Sequence, residues 1–529
     1  MGTSLRPFRR GARPATRSAT QNSFALASRL LVGLVTLSLL GVGGFLGACQ
    51  PASEEPRPNV LFVVIDDLND WIEPLGGHPD AHTPHLSSLA QRSVNFQRAY
   101  ANSSACNPSR TSLLTGRLPS STGVYWNGQP MRAALPDALS LPQRLRQEGY
   151  ETVAFGKVFH ERDPQSWDRF DRGGRDPRVP NRPLNDLQGS DRFFDWGTMP
   201  AESLRKESMV DERVIGDAIE FLRRRESAEL SRPFFLAVGL HKPHLPWIVP
   251  EEYFEPWKNA PPQLPEVPAG ELEDIPKRGL NIANPDGDHA RVTTAGQWTE
   301  AVTGYLASVN FIDAQLGRLL QALDASEHAQ DTVIVLLSDH GYHLGEKEHW
   351  RKTTLWEEGL RIPLLIAPPG RDVDAPRGVD SPRVVTLVDV YPTLLELTQA
   401  TVDAGADGRS LAPLLSDPDL AWPYPGISMI QRDFSARTER WRYIQYGGRS
   451  DELYDHELDP GEHNNLADDP RYGEVKRDLA GFFPQDPKPR SPTQRELQER
   501  AAGQGVQDPA ASGANAESPS GASASGDSS

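Results

Sequence analysis

One acidic pair, one aspartate–histidine pair, one isolated thiol and a handful of basic side chains are the groups in this chain best suited to chemistry. Asp66-Asp67 and Asp339-His340 each follow an apolar run, and Gly156-Lys157 and His241 follow two others. Paired acids in such places either cap a strand end or hold a hard cation on oxygen ligands. Cysteine is rare, with only Cys49 and Cys106 in 529 residues. Cys106 heads the string Cys106-Asn107-Pro108-Ser109-Arg110. Proline suits the first turn of a helix, so this thiol would sit at a helix N-terminus, where unpaired N–H groups and the dipole favour an anion. A solitary cysteine is either a small buried hydrophobe or a reactive group, and its neighbours decide which.

The elements that must position these groups are legible as apolar runs. Asn59-Val60-Leu61-Phe62-Val63-Val64-Ile65, Thr152 to Phe155, Phe234 to Val238 and Thr332 to Leu337 are continuous rather than alternating, as in strands buried on both faces. Between them, Val302, Tyr305, Leu306, Val309, Ile312, Leu316, Leu319, Leu320 and Leu323 trace one apolar helical face. This alternation predicts an α/β fold with a large, mostly parallel central sheet flanked by helices over 58–421. Such sheets bind ligands beyond the carboxyl ends of their strands, so the four polar tips would converge. Residues 161–200 and the proline-dense 242–298 read as long loops serving as lids. Short strand-like pieces from 422 to 484 suggest a small antiparallel subdomain. From 485 to 529 the composition is too poor in apolar residues to offset ordering entropy, which predicts a disordered tail.

Residues 1–48 read as an export signal. Arg6, Arg9, Arg10, Arg13, Arg17 and Arg29 precede an apolar run that ends in Leu46-Gly47-Ala48-Cys49. That ending is similar to a bacterial lipobox, so Cys49 is expected to carry lipid, with 49–57 as a linker and the protein held at the cell envelope (periplasm or outer membrane). The alternative is an uncleaved membrane anchor. With lipid on Cys49, Cys106 has no partner for a disulfide and the core must supply stability. The formal charge is −17, and losing the signal removes six arginines and no acid. That balance excludes a protein held to nucleic acid by phosphate neutralisation.

Ser104-Ala105-Cys106-Asn107-Pro108-Ser109-Arg110-Thr111-Ser112-Leu113-Leu114-Thr115-Gly116 resembles the signature of the formylglycine-dependent sulfatases, a branch of the alkaline-phosphatase-like superfamily. Its core is Cys-x-Pro-x-Arg, and Gly149 to His160 resembles the family's second signature. Asn107 stands where many members carry a smaller residue. The strings Asp66-Asp67-Leu68-Asn69-Asp70, Gly156-Lys157-Val158-Phe159-His160 and His241-Lys242-Pro243-His244 look most like the iduronate-2-sulfatase group.

The resemblance implies that a formylglycine-generating or sulfatase-maturing enzyme converts Cys106 to formylglycine, whose hydrate is the nucleophile. It implies one Ca2+ at Asp66, Asp67, Asp339 and His340, with the residue at Cys106 alongside. Arg110 would hold the hydrated aldehyde and screen the acids, and Lys157 and Lys352 would bind sulfate oxygens. His160 would take a proton from the second hydroxyl, and His241, with Lys352, would protonate the leaving alcohol. His244, His343 and His349 receive no role. The substrate implied is sulfated carbohydrate, with uronic-acid chain ends the group's usual target. An acidic protein needs a locally basic cleft to bind a polyanion, for which Arg162, Arg169, Arg172 and Arg175 are candidates. Trp167, Trp196 and Trp247 are either sugar platforms or ordinary packing. Two other readings stay open: a phosphatase or phosphonate monoester hydrolase of the same superfamily, and a non-catalytic polysaccharide-binding lipoprotein.

Overall fold

The computed structural model describes residues 57–180, 182–187, 193–226, 232–402 and 404–503. Residues 1–56, with the expected export signal and Cys49, and the chain beyond 503 lie outside the described residues. Among the described residues, no helix is long and apolar enough to cross a membrane.

Nine strands form the central sheet: β1 (Asn59–Ile65), β2 (Val94–Tyr100), β3 (Glu151–Gly156), β4 (Arg169–Asp171), β5 (Phe234–Leu240), β6 (Thr332–Ser338), β7 (Arg361–Ile362), β8 (Leu364–Ala367) and β9 (Val379–Thr386). β1 lies between β5 and β6 and is parallel to both. β3 pairs parallel with β5, and β4 with β3. On the other flank β8 is antiparallel to β6 and to β2, while β9 is parallel to β2. β7 and β8 amount to one strand interrupted at Pro363, which cannot donate to a ladder. All four apolar runs thus lie in one sheet as expected. β2 and β9 escape sequence reading because Gln97, Arg98 and Arg383 break their apolar pattern.

Every residue of β1, β5 and β6 is buried. Neither face meets water, so neither needs polar residues, and each large apolar side chain contributes about 1.5–3 kcal/mol. Leu61, Val63 and Ile65 pack on one side with α2 (Val210–Glu226) and α3 (Trp298–Asp324). Val60, Phe62 and Val64 pack on the other with α1 (Cys106–Thr115) and α4 (Leu387–Leu397). All nine positions of the apolar stripe in α3 are buried.

Beyond the sheet, β10 (Gly426–Ile430), β11 (Asp433–Arg437), β12 (Trp441–Tyr446) and β13 (Ser450–Asp455) make an antiparallel meander. It is stitched to the main body, with Met429 N donating to Asn102 O at 2.9 Å and Trp356 Nε1 to Glu452 Oε2 at 2.7 Å.

Three expectations change. The loop regions 161–200 and 242–298 are partly structured: 196–198 pairs with 247–249, and helices occupy Lys277–Ala283 and Asp288–Thr294. Trp167, Trp196 and Trp247 are at most 5% exposed, which makes them core residues and removes them as sugar platforms. Residues from 485 to 503 are placed on the body instead of trailing from it. Lys488, Ser491 and Gln494 donate backbone N–H groups to Ser120, Gly123 and Gly128, and a helix (Gln494–Gly503) follows. This strap is held by main-chain groups, which leave no mark on composition.

Candidate active site

The chemistry-bearing residues sit just past the carboxyl ends of the parallel strands. The ladder sets Ile65 level with Leu240 and Ser338, so the next residues abut. Asp66 N donates to Leu240 O at 3.1 Å and Asp339 N to Ile65 O at 3.2 Å. Lys157 follows β3 at a point where two backbones nearly touch. A Cβ on Gly156, at φ +79°, would lie 1.9 Å from Gly239 O, and one on Gly239 would lie 2.1 Å from the Lys157 carbonyl carbon. Only glycine at both positions permits this approach. Asp67 adopts φ 65°, an unusual conformation for a non-glycine residue. The Tyr305 hydroxyl fixes it by donating to Asp67 O and accepting from Asn69 N, both at 2.9 Å.

Cys106 opens α1, as the position of Pro108 predicts. Its helix has no side-chain cap from the preceding residue, but Asn127 Oδ1 accepts from Asn107 N at 2.9 Å. Cys106 is 1% exposed, and its Sγ lies 3.1 Å from Lys352 Nζ and 3.3 Å from His340 Nε2. Lys352 Nζ also pairs with Asp67 Oδ1 at 2.6 Å. It is aimed by a taut loop, in which Arg351 and Thr353 both have positive φ and Thr353 N donates to Ser104 O at 3.1 Å. Arg110 is completely buried. Its Nε donates to Asp339 Oδ2 at 2.8 Å, its Nη2 to Asp66 Oδ1 at 3.1 Å and its Nη1 to Val158 O at 2.9 Å. Lys157 pairs with Asp66 Oδ2.

This charge balance moves the titrations. Burial pushes the Asp66 carboxyl up, but Lys157 and Arg110 outweigh it and hold it well below the usual range. Burial raises Asp339 to about 6 against the pull of Arg110. It also opposes ionisation of Cys106, yet Lys157 and Lys352 bring the thiol down to about 5. For His340, burial favours the neutral ring, but Asp339 prevails and lifts it to about 9. His160 falls to about 3, through burial and then the Lys157 charge, so its ring is neutral.

Asp66, Cys106, Asp339 and His340 present ligand atoms within 4.8 Å of one another, and so do Asp66, Asp67 and His244. Three buried carboxylates with imidazole nitrogen at the edge form a donor set that fits one hard divalent cation.

The structure draws together Asp66, Asp67, Cys106, Arg110, Lys157, Asp339, His340 and Lys352. His160 stands beside them, with Nδ1 buried and without a partner among the described residues. His241 does not join the cluster. Its backbone N and its ring both turn to Asp211, at 2.8 and 3.3 Å. The chain then folds back, His244 N donating to His241 O at 2.9 Å, and it is His244 that reaches the two acids. Sequence reading passed over His244; the available signal was its setting between Pro243 and Pro246, which restrict the backbone on both sides. His343 and His349 have structural partners, at Thr354 Oγ1 and at the Ala283 and Lys352 carbonyls.

Comparison with known proteins agrees with this geometry. The sulfatase family profile matches residues 58–400, and that of the C-terminal region of N-sulphoglucosamine sulphohydrolase matches 345–483. A sulfatase of Formosa agariphila is 32% identical over 464 residues, covering 82% of this chain and 88% of its own. Iduronate 2-sulfatase of Homo sapiens is 31% identical over 420 residues, covering 70% and 73%. In fold, the phosphonate monoester hydrolase of Agrobacterium radiobacter superposes with a TM-score of 0.65 at 24% identity, covering 80% and 94%. With the Cys-x-Pro-x-Arg helix at the mouth of an acidic, cation-suited cluster and a family match over most of the folded chain, this protein belongs to the sulfatase family of sulfuric ester hydrolases.

Proposed function

We propose that the protein hydrolyses O-sulfate esters on uronic-acid-containing carbohydrate, with Cys106 matured to formylglycine and one Ca2+ held by Asp66, Asp67, Asp339 and His340. The observation that carries this reading is the position of Cys106 Sγ, at the head of α1 and within 3.3 Å of both Lys352 Nζ and His340 Nε2. The matured aldehyde would supply a two-hydroxyl nucleophile, and a divalent ion held by Asp66, Asp67, Asp339 and His340 would supply Lewis-acid stabilisation of sulfate charge. The surrounding residues do the rest. Lys157 and Lys352 neutralise sulfate oxygens, and their ion pairs with Asp66 and Asp67 keep both ammonium groups directed at the head of α1. Arg110 ties the carboxylates to the Lys157-Val158 backbone, so the site cannot relax when charge develops. Neutral His160 accepts a proton from the nucleophile's second oxygen. His244 takes the leaving-group role that sequence had given to His241, and protonates the departing alcohol.

The uronic-acid preference follows the likeness to iduronate 2-sulfatase. Export with a lipid on Cys49, and maturation by a dedicated enzyme, belong to the same proposal and rest on sequence signals alone. Mass spectrometry of the Cys106 peptide, combined with hydrolysis of matched aryl sulfate and aryl phosphate esters, tests it. Unmodified thiol in native protein, or a phosphate preference, would reject it; the latter favours the phosphatase or phosphonate hydrolase reading.

A further inference from the structure

The turn that carries His244 is gripped by a side chain from outside the acidic cluster. β5 ends at Leu240, and the next two backbone N–H groups, of His241 and Lys242, have left the sheet ladder and need other acceptors. One carboxylate supplies both. Asp211 accepts from His241 N through Oδ1 at 2.8 Å and from Lys242 N through Oδ2 at 3.0 Å. It stands in the first turn of α2 and is completely buried. A carboxylate taken wholly out of water is costly unless it is hydrogen-bonded, and an apolar residue would fill the same space at less cost. What an apolar residue could not do is hold two successive amides of a turn.

The other limb of the turn is tied to the same helix end. Lys242 is buried, and its Nζ donates to Pro246 O at 2.6 Å and pairs with Asp176 Oδ2 at 3.2 Å. Asp176 Oδ1 in turn accepts from Val210 N, the first residue of α2, at 2.9 Å. Trp247 Nε1 donates to Pro243 O at 2.8 Å. The His244 ring, by contrast, makes a single hydrogen bond among the described residues, from Nδ1 to Leu245 O at 2.7 Å. A carbonyl only accepts, so Nδ1 is the donor there and Nε2 is the nitrogen left to exchange a proton. With so little holding the ring itself, its aim at Asp66 and Asp67 depends on where the backbone of 241–246 lies.

We propose that Asp211 is a positioning residue for the reaction: by gripping the His241 and Lys242 amides it sets His244 beside the departing ester oxygen, and Lys242 with Asp176 secures the far limb of the same turn. The proposal rests on the sulfatase reading, in which His244 protonates the leaving alcohol, and deepens it. The electron pair of the breaking S–O bond stays on the alcohol oxygen, and the Nε2 proton of His244 neutralises it. Asp211 touches neither ester nor cation and acts through the turn alone.

The test compares kcat for 4-nitrophenyl sulfate and 4-methoxyphenyl sulfate in the full-length, formylglycine-verified protein. The two esters are alike in size and charge, but 4-methoxyphenol is the poorer leaving group and depends more on a proton donor. Asp211→Asn keeps the shape and one acceptor oxygen while turning an N–H donor toward a backbone N–H. It should lower kcat for the methoxy ester about tenfold more than for the nitro ester, with KM for both little changed, since a misaimed acid loses part of the about 10²–10⁴ that a general acid supplies. His244→Ala should discriminate in the same direction and more strongly, and adding Asp211→Asn to it should change the ratio no further, as expected of residues that act as a unit. Lys242→Met, which removes the Nζ bonds and keeps the stem, should shift the ratio the same way and carries the comparison if Asp211→Asn does not fold.

Equal losses on both esters in the Asp211 and Lys242 variants would show a role in stability alone and refute the proposal, leaving the sulfatase reading standing. Independent, additive effects of Asp211→Asn and His244→Ala on the ratio would do the same. Weakened Ca2+ binding in Asp211→Asn with an unchanged ester ratio would place His244 on the cation and also count against the proposal. A verified wild-type protein that turns over no sulfate ester would overturn both this inference and the reading beneath it.

Discussion

Two stacked tyrosines behind the acidic cluster should respond oppositely to the same small change. Tyr305 and Tyr342 are both buried, with ring centroids 5.8 Å apart, so replacing either by phenylalanine removes one hydroxyl from nearly the same surroundings. The Tyr305 hydroxyl bridges Asp67 O and Asn69 N. Its loss strands a buried acceptor and a buried donor, each costing about 1–3 kcal/mol, so Tyr305→Phe should destabilise by about 2–6 kcal/mol. The Tyr342 hydroxyl is buried with no partner among the described residues. Removing it strands nothing and ends a desolvation cost, so Tyr342→Phe should be neutral or stabilising by about 1 kcal/mol. Urea unfolding monitored by circular dichroism measures both. Because Tyr305 also holds Asp67 in its positive-φ conformation, Tyr305→Phe should weaken Ca2+ binding about 10–100-fold, the usual range when a metal ligand loses its support. Equal destabilisation by the two variants, or full calcium affinity in Tyr305→Phe, would show that the hydroxyl bridge does not organise the site.

Other expectations are simpler. Cys106→Ala should abolish turnover of an aryl sulfate while leaving the melting temperature within a few degrees, and residual activity would remove the nucleophile assignment. His244→Ala should lower kcat by about 10²–10⁴, as for a lost general acid, whereas His241→Ala should act mainly on stability; the reverse ranking in steady-state assays would restore the assignment read from sequence. Chelation should both inactivate and destabilise the enzyme, since a ligand at 100 times its Kd adds about 2.7 kcal/mol; unchanged thermal unfolding in chelator would argue against a resident cation. Deleting residues 487–529 frees the 123–130 loop from its backbone braces and should expose it to limited proteolysis; a cleavage pattern identical to full length would show that the strap carries no load.

Sequence disclosed the central strands because burial on both faces leaves an unbroken apolar run, as in 59–65 and 332–338. It disclosed Asp66-Asp67, Asp339-His340 and Cys106 because each ends or begins an element. What stayed hidden depends on folding back. His244 reaches the cluster through a turn between two prolines, and no local pattern separates it from His241 three residues earlier. Lys352 was assignable by family likeness, but its aim comes from a loop with positive φ at Arg351 and Thr353, which sequence does not announce. Trp167, Trp196 and Trp247 looked equal to Trp126 as letters; only tertiary packing tells the three core rings from the one facing water. The strap was missed because backbone hydrogen bonds are blind to side-chain identity.

The pairing of β1 with its two parallel neighbours has a further consequence. Asp66 and Asp339 meet because Ile65 and Ser338 are level. A slip of one step between those strands would send each side chain to the opposite packed face of the sheet and carry the two acids apart. The seat proposed for the cation is therefore machined by the hydrocarbon interior, and its tolerances are those of the interlocking valines and leucines beneath it. Damage far below the opening, such as a cavity cut at Val63 or Leu336, should register as a loosened grip on the ion before the fold itself gives way.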